Sequence, residues 1–311
     1  MGTMTTLVIG VDGGGTKTRV IIADEQGTEL ASVTGPASAV HPGFASNSAD
    51  VIAATIVEAL AECDQVGTTA RVLCAGVAGA GRDQERHALQ AALERLELAD
   101  EVLVVADATL ALDDAFGEGP GIVLVAGTGS ACFGRSPTET FARCGGWGPI
   151  CGDEGSGAWI GKRALSVVTA SADGREPDTA LLGVILTHLQ MEAAESLMPW
   201  ASKATAADFA TLATPVLACA TAGDLRANSL CALAAEELVL HVRTLARQLF
   251  ADERAAIPVA LAGGMLNRGS YLRKLVEMRL KSAVPGSQLH SPEVVPARAA
   301  VRHALLALAN T

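Results

Sequence analysis

Two aspartates stand where a carboxylate could do chemistry. Asp12 precedes three glycines in VIGVDGGGTKTRVIIAD, Val8 to Asp24, and Asp107 closes the apolar run EVLVVA, Glu101 to Ala106. A carboxylate at a strand end can accept the proton of a hydroxyl as that oxygen attacks a phosphoryl group. A carboxylate in the mouth of a glycine turn suits a different task. The turn's exposed N–H groups can cradle phosphate, and the acid can serve a magnesium ion that accompanies it. The ordinary reading of each stands beside these: a hairpin with a flexible tip for Gly13-Gly14-Gly15, and a helix N-cap for Asp107. By position alone the two readings of Asp107 are even.

The elements around these residues narrow the choice. A P-loop needs Gly-Lys-Ser/Thr opening a helix, but Thr16 separates Gly15 from Lys17, and the β-branched run Thr18, Val20, Ile21, Ile22 predicts a strand. A dinucleotide fingerprint fails likewise, since its glycines must lead into a helix. The segment reads strand, glycine turn, strand. The same theme returns later: GIVLVA, Gly121 to Ala126, is followed by Gly127-Thr128-Gly129-Ser130 and a second strand through Gly134. A third site, Gly263-Gly264, ends a strand over Val259–Ala262 and precedes a helix around Ser270–Lys281. Bare backbone there would let a flat purine lie close.

Three strands are predicted over Leu7–Thr34, then a helix over Ser48–Cys63 capped by Ser48 or Asp50. A strand over Arg71–Val77, a helix over Asp83–Leu96, the strand ending at Ala106 and a helix over Leu110–Phe116 follow. A meander running into βα units is the pattern of a mixed-sheet α/β domain. The 311 residues suffice for two such domains.

Composition limits the function classes. A net charge of −11 argues against a general nucleic-acid binder, because affinity for phosphate backbones comes from clustered Lys and Arg. An acidic chain that handles phosphates must do so locally, through amides and a metal. No apolar run reaches the roughly 18 residues of a membrane span, and no charged n-region precedes an apolar h-region, so a cytoplasmic protein is expected. Met1-Gly2 with Thr6 matches the crude myristoylation pattern, which is discounted because Met4 is an equally good start. Seven cysteines without a CxxC pattern point to reduced thiols. The six histidines, at 41, 87, 188, 241, 290 and 303, have no ligand spacing and are given no metal role.

In this order DGGGTKT, LVAGTGS and LAGG resemble the superfamily of sugar kinases, Hsp70 and actin. CGGWGPICGDEGSGAWIG, Cys144 to Gly161, with VVADATLAL, narrows the resemblance to the BadF/BadG/BcrA/BcrD ATPases and, among them, the N-acetylglucosamine kinases. It spans nearly the whole chain. The resemblance implies two ribonuclease-H-like domains with the active site in the cleft between them: residues 1–116, and 117–295 carrying the sugar loop and adenosine site, with a last helix over about 296–311 returning to the first. It implies ATP and Mg2+ as cofactors, Asp12 as the metal residue, and Asp107 as the base that takes a proton from the 6-hydroxyl of an amino sugar.

By the same resemblance Gly13, Gly14, Gly15, Thr16, Lys17, Gly127, Thr128, Gly129 and Ser130 hold the phosphates, and Gly263 and Gly264 the nucleoside. Cys144, Gly145, Gly146, Trp147, Asp153 and Thr128 meet the sugar. Asp153 and Glu154 have an alternative role at a helix N-terminus, and Trp147 one in packing its loop onto the core. The family's loop asparagine is missing from Gly35–Gly43; Ser38 or His41 takes its place, or the sugar preference differs. N-acetylglucosamine is the expected substrate, with glucosamine and a muramic-acid-like sugar as alternatives. The family is commonly dimeric, so a homodimer is an expectation. Kinases of the ROK type carry a cysteine-rich zinc motif and an ExGH segment, both missing here. An ATPase activator of a dehydratase needs a cysteine context for an iron–sulfur cluster. A sugar-sensing repressor needs a helix-turn-helix, for which the first strand starts too early.

Overall fold

A computed structural model describes residues 6–252 and 256–310, so Gly2 of the myristoylation pattern lies outside the described residues. The chain divides into two compact units, Met1–Glu118 with Glu293–Thr311, and Gly119–Pro292.

The first unit is built on β1 (Leu7–Gly13), β2 (Thr18–Asp24), β3 (Glu29–Gly35), β4 (Ala70–Val77) and β5 (Ala99–Ala106), in the order β3-β2-β1-β4-β5. β1, β2 and β3 form an antiparallel meander, while β4 and β5 run parallel to β1. Successive β1 side chains point to opposite faces, and both faces are covered. Leu7, Ile9 and Val11 pack toward α1 (Ala45–Glu62) and α2 (Asp83–Glu94), and Val8 toward α3 (Asp107–Phe116) and the C-terminal helix α12 (Pro296–Ala309). Burial on two faces is why β1 is a continuous apolar run rather than an alternating one. α12 buries Ala297, Ala299, Ala300, Val301 and Ala304. Its small residues bring the helix so close that the missing side chain of Gly10 in β1 leaves room for the Ala297 carbonyl and Val301.

The second unit repeats the order. Its sheet is β10-β9-β6-β7-β8, from β6 (Gly121–Ala126), β7 (Ser130–Arg135), β8 (Phe141–Gly145), β9 (Ile257–Ala262) and β10 (Ser287–Leu289). β6, β7 and β8 form the meander, and β9 and β10 are parallel to β6. The helices are α4 (Gly148–Cys151), α5 (Gly157–Ala172), α6 (Ala180–His188), α7 (Leu197–Ala201), α8 (Ala206–Thr211), α9 (Ala213–Thr221), α10 (Leu225–Leu249) and α11 (Tyr271–Ala283). α10 is the unit's organising element. It is capped by Asp224, whose carboxylate accepts the Arg226 and Ala227 N–H groups, and it packs on β6, β7, β8, α5, α9 and α11. Among the described residues no single helix is long and apolar enough to cross a membrane.

One local expectation is corrected. α1 begins at Ala45 with Phe44 at its N-cap, so neither Ser48 nor Asp50 caps it. Ser48 lies one turn inside, where its hydroxyl donates to the Ala39 carbonyl at 3.1 Å and ties the preceding loop to the helix. α5 begins at Gly157, capped by Ser156, which accepts the Trp159 N–H at 3.2 Å. Asp153 and Glu154 precede that cap and do not cap α5 themselves.

Candidate active site

In the first unit the chemistry-bearing residues collect at the C-terminal ends of the parallel strands β1, β4 and β5, the end where α/β sheets bind ligands. Asp12 sits in β1 opposite Arg19 of β2 and Gly76 of β4. Asp107 is the first residue of α3, directly after β5, with Ala106 as the N-cap. Burial, then the charge of Asp107, push the Asp12 carboxyl up to about 6. Burial also raises Asp107, opposed by the N–H groups of Ala108 and of Asp107 itself. A carboxylate with a raised pKa is a better proton acceptor, and two acids that oppose each other's ionisation favour a cation nearby.

The first glycine turn is held by its neighbours. The Gly14 N–H donates to the Lys17 carbonyl at 2.9 Å, while the Ser38 and Ala39 N–H groups donate to the Gly14 carbonyl at 3.1 and 3.2 Å. The Ala78 N–H donates to Gly13 at 2.7 Å and the Val40 N–H to Ala78 at 2.8 Å, so three loops are stitched together here. Ser38 is 2% exposed; its hydroxyl accepts from Thr18 at 2.7 Å and fills the space a side chain at Gly13 would need. It anchors the loop, and His41 is the exposed member of the pair. Gly15, Thr16 and Lys17 are exposed, with open space where a Gly15 side chain would lie.

In the second unit the Gly127 N–H closes the hairpin on the Gly129 carbonyl at 2.8 Å. The first amides of α5 are drawn onto it, Gly157 to the Gly127 carbonyl at 2.8 Å and Ala158 to that of Thr128 at 3.1 Å. Ser130 donates its hydroxyl to the Glu154 carbonyl at 2.7 Å. Asp153 has a left-handed backbone, φ 60°, and is only 8% exposed. One carboxylate oxygen accepts the Gly148 N–H at 3.1 Å, and the other lies 2.6 Å from where a Gly129 side chain would begin. Burial raises its pKa, with the Gly148 N–H pulling the other way.

Around this hairpin stand the remaining expected residues. Trp147 is 69% exposed, with the Arg143 guanidinium 5.0 Å from its ring centre, so it does not pack its loop onto the core. The half-buried Cys144 thiol, raised chiefly by burial, hydrogen-bonds with Thr244. Gly263 follows β9, parallel to β6, and its missing side chain makes room for the Ala126 backbone, whereas Gly264 faces open space. The first unit thus gathers Asp12, Gly13–Lys17, Ser38 and Asp107. The second gathers Gly127–Ser130, Cys144–Trp147, Asp153 and Gly263–Gly264.

Among the described residues no three His, Cys, Asp or Glu side chains form a metal cluster. Asp12 and Asp107 fit a hard oxygen-seeking cation that draws its other ligands from phosphate and water, which is how Mg2+ is usually held.

The BadF/BadG/BcrA/BcrD ATPase family pattern matches residues 9–305. The chain belongs to that family. Relatives within reach include an N-acetylmuramic acid/N-acetylglucosamine kinase of Clostridium acetobutylicum, 33% identical, with 85% of this chain and 87% of that protein aligned. An N-acetyl-D-glucosamine kinase of Dictyostelium discoideum is 29% identical over 97% of this chain and 98% of its own. A crystal structure from Chromobacterium violaceum superposes with a TM-score of 0.82 at 30% identity, covering 97% and 99% of the two chains. The two five-stranded mixed sheets flanked by helices are the actin-like, two-domain architecture that the sequence led us to expect of this family.

Two residues of this family member were not singled out from sequence as parts of a working site. Sequence alone gives Glu154 a place at a helix N-terminus and His241 no metal role. Their side chains approach each other at 3.7 Å. The signal was available only as a position on the α10 stripe, where a histidine reads as core.

Proposed function

We propose that the protein is an ATP-dependent amino sugar kinase that transfers the γ-phosphoryl group to the 6-hydroxyl of N-acetylglucosamine. The observation that carries the proposal is the pair Asp12 and Asp107 at the same end of the sheet, on β1 and just after β5 with β4 between them, both with carboxyls raised by burial, beside a glycine turn with an open side. Asp107 accepts the proton of the attacking hydroxyl, for which a raised pKa is an advantage. The turns Gly13–Lys17 and Gly127–Ser130 each offer backbone to phosphate, and Gly264, with Gly263 before it, offers bare backbone to the purine. Asp12 would hold Mg2+ through water; the ion, when bound, neutralises phosphate charge as the leaving oxygen develops. Cys144–Trp147, Thr128 and Asp153 take the sugar, and Ser38 contributes through the loop it anchors.

Membership of an ATPase family and the kinase names of the relatives support this reading. So do seven free thiols, which suit a reducing cytoplasm. Steady-state assays of ATP consumption and sugar phosphate formation across N-acetylglucosamine, glucosamine, muramic acid and glucose test it. A profile led by N-acetylglucosamine is expected. One led by glucosamine or muramic acid would move the substrate within the class, and ATP consumption indifferent to sugar would overturn the kinase reading.

A further inference from the structure

The two ends of the glycine-rich segment from Cys144 to Gly155 meet a single stripe of α10. A methyl group at Gly155 would fall 2.5 Å from Leu238 Cγ and 2.6 Å from the Ala234 carbonyl; one at Gly145 would fall 3.1 Å from Cε1 and Nε2 of His241. Cys144 meets Thr244. Ala234, Leu238, His241 and Thr244 are four, three and three residues apart, which puts them on one helix face. Within that stripe His241 is the polar member at the turn itself. It is 7% exposed, its Nδ1 is buried without a hydrogen-bond partner, and its Nε2 stands 3.7 Å from Glu154 Oε2. An unpaired buried nitrogen costs roughly 1–3 kcal/mol, so packing alone would favour an apolar residue here.

We infer that His241 is a positioning residue for the sugar-binding segment: its ring is the floor of the Gly145-Gly146 turn and its Nε2 faces Glu154, so it sets how Cys144–Trp147 is presented to the amino sugar. The inference rests on the proposed reading of that segment as sugar-binding. Gly145 and Gly146 are both left-handed, φ 76° and 70°, and two consecutive glycines have much conformational freedom to lose. A rigid aromatic floor restricts it. Burial holds the imidazole below its ordinary pKa, partly offset by Glu154, Glu237 and Asp153. The groups facing it are Glu154 and Asp153 from the segment before α5, and Glu237 one turn earlier on α10. At neutral pH the ring is uncharged; acidification protonates it, draws Glu154 closer and shifts the turn.

Two variants and two readouts test this. In His241→Phe, which keeps the bulk and removes both nitrogens, the KM for the amino sugar should rise about tenfold while the KM for ATP stays within about twofold. His241→Asn, which keeps a donor and an acceptor, should recover part of the loss and serves if the Phe variant does not fold. Independently of turnover, the part of the tryptophan emission lost in Trp147→Phe should show a step on acidification in the parent and none in the His241 variants. An active parent whose sugar KM is untouched by both variants, or an emission step that survives them, overturns the inference. Should the parent phosphorylate no amino sugar, the functional reading fails, and the emission titration still decides whether His241 positions the turn.

Discussion

The two units use one strand order for two different surfaces. In each, an antiparallel meander is extended by two parallel strands, so β1 corresponds to β6 and β4 to β9. In the first unit the strand ends carry acids: Asp12 is the next-to-last residue of β1 and Asp107 follows β5, near enough for the charge of Asp107 to raise the pKa of Asp12. In the second the end of β6 is apolar, Val125-Ala126, and the acid arrives from a loop, Asp153, seated beneath Gly129. The repeated topology therefore positions turns, while side-chain charge decides what each turn does. The first unit concentrates proton and cation chemistry, and the second presents backbone and a loop shaped by glycine.

The largest effect that would sharpen this contrast concerns the loop. Gly155→Ala combines a left-handed backbone, φ 76°, with a clash against the α10 backbone, and should destabilise the second unit by about 3 kcal/mol or more. Chemical denaturation measures it, and a midpoint unchanged from the parent would break the claim that α10 shapes the loop.

Next in size is Asp12→Asn. A folded-state pKa of about 6 lies above the ordinary 3.8, so Asp12 favours the folded state while protonated. That contribution is present below pH 4 and is lost as pH rises through 6. Asn removes the penalty, so thermal melts should show a gain of roughly 3 kcal/mol at pH 8 that vanishes at pH 4, with phosphoryl transfer impaired. A variant less stable than the parent at pH 8 would mean that Asp12 is not strained by its surroundings.

Gly15→Ala and Gly127→Ala compare the two turns directly. Both positions face open space, so stability should change by less than about 1 kcal/mol, while the KM for ATP rises in both. An effect in one turn alone would assign the phosphates to one unit. The smallest effect is expected at Arg302, whose half-exposed guanidinium meets the largely buried Asp114 carboxylate at 3.2 Å between α12 and α3. Arg302→Ala should cost less than about 1 kcal/mol, because the Asp114 carboxylate keeps the Val295 N–H.

Much of this contrast was legible in the residues. β-branched runs on both sides of Gly13–Gly15 excluded a helix after the turn, and EVLVVA followed by Asp107 located the second acid. Less legible was whatever depends on contacts remote in sequence. Ser48 looked like a cap because its hydroxyl could serve the helix or the loop, and only the position of Ala39 decides. That the Ser38 hydroxyl accepts from Thr18, twenty residues earlier, depends on a pairing of strand and loop that the sequence does not display. β8 is short and ends in glycine, so it carries little strand signal. His241 has the spacing of a core residue, and its orphaned nitrogen is visible only in three dimensions.

The account depends most on Asp107 as proton acceptor. Asp107→Asn keeps the size of the side chain and removes its basicity, so calorimetry should find ATP and N-acetylglucosamine bound with parental affinity while single-turnover transfer falls by about two to four orders of magnitude. Transfer within tenfold of the parent, with binding intact, would contradict the account.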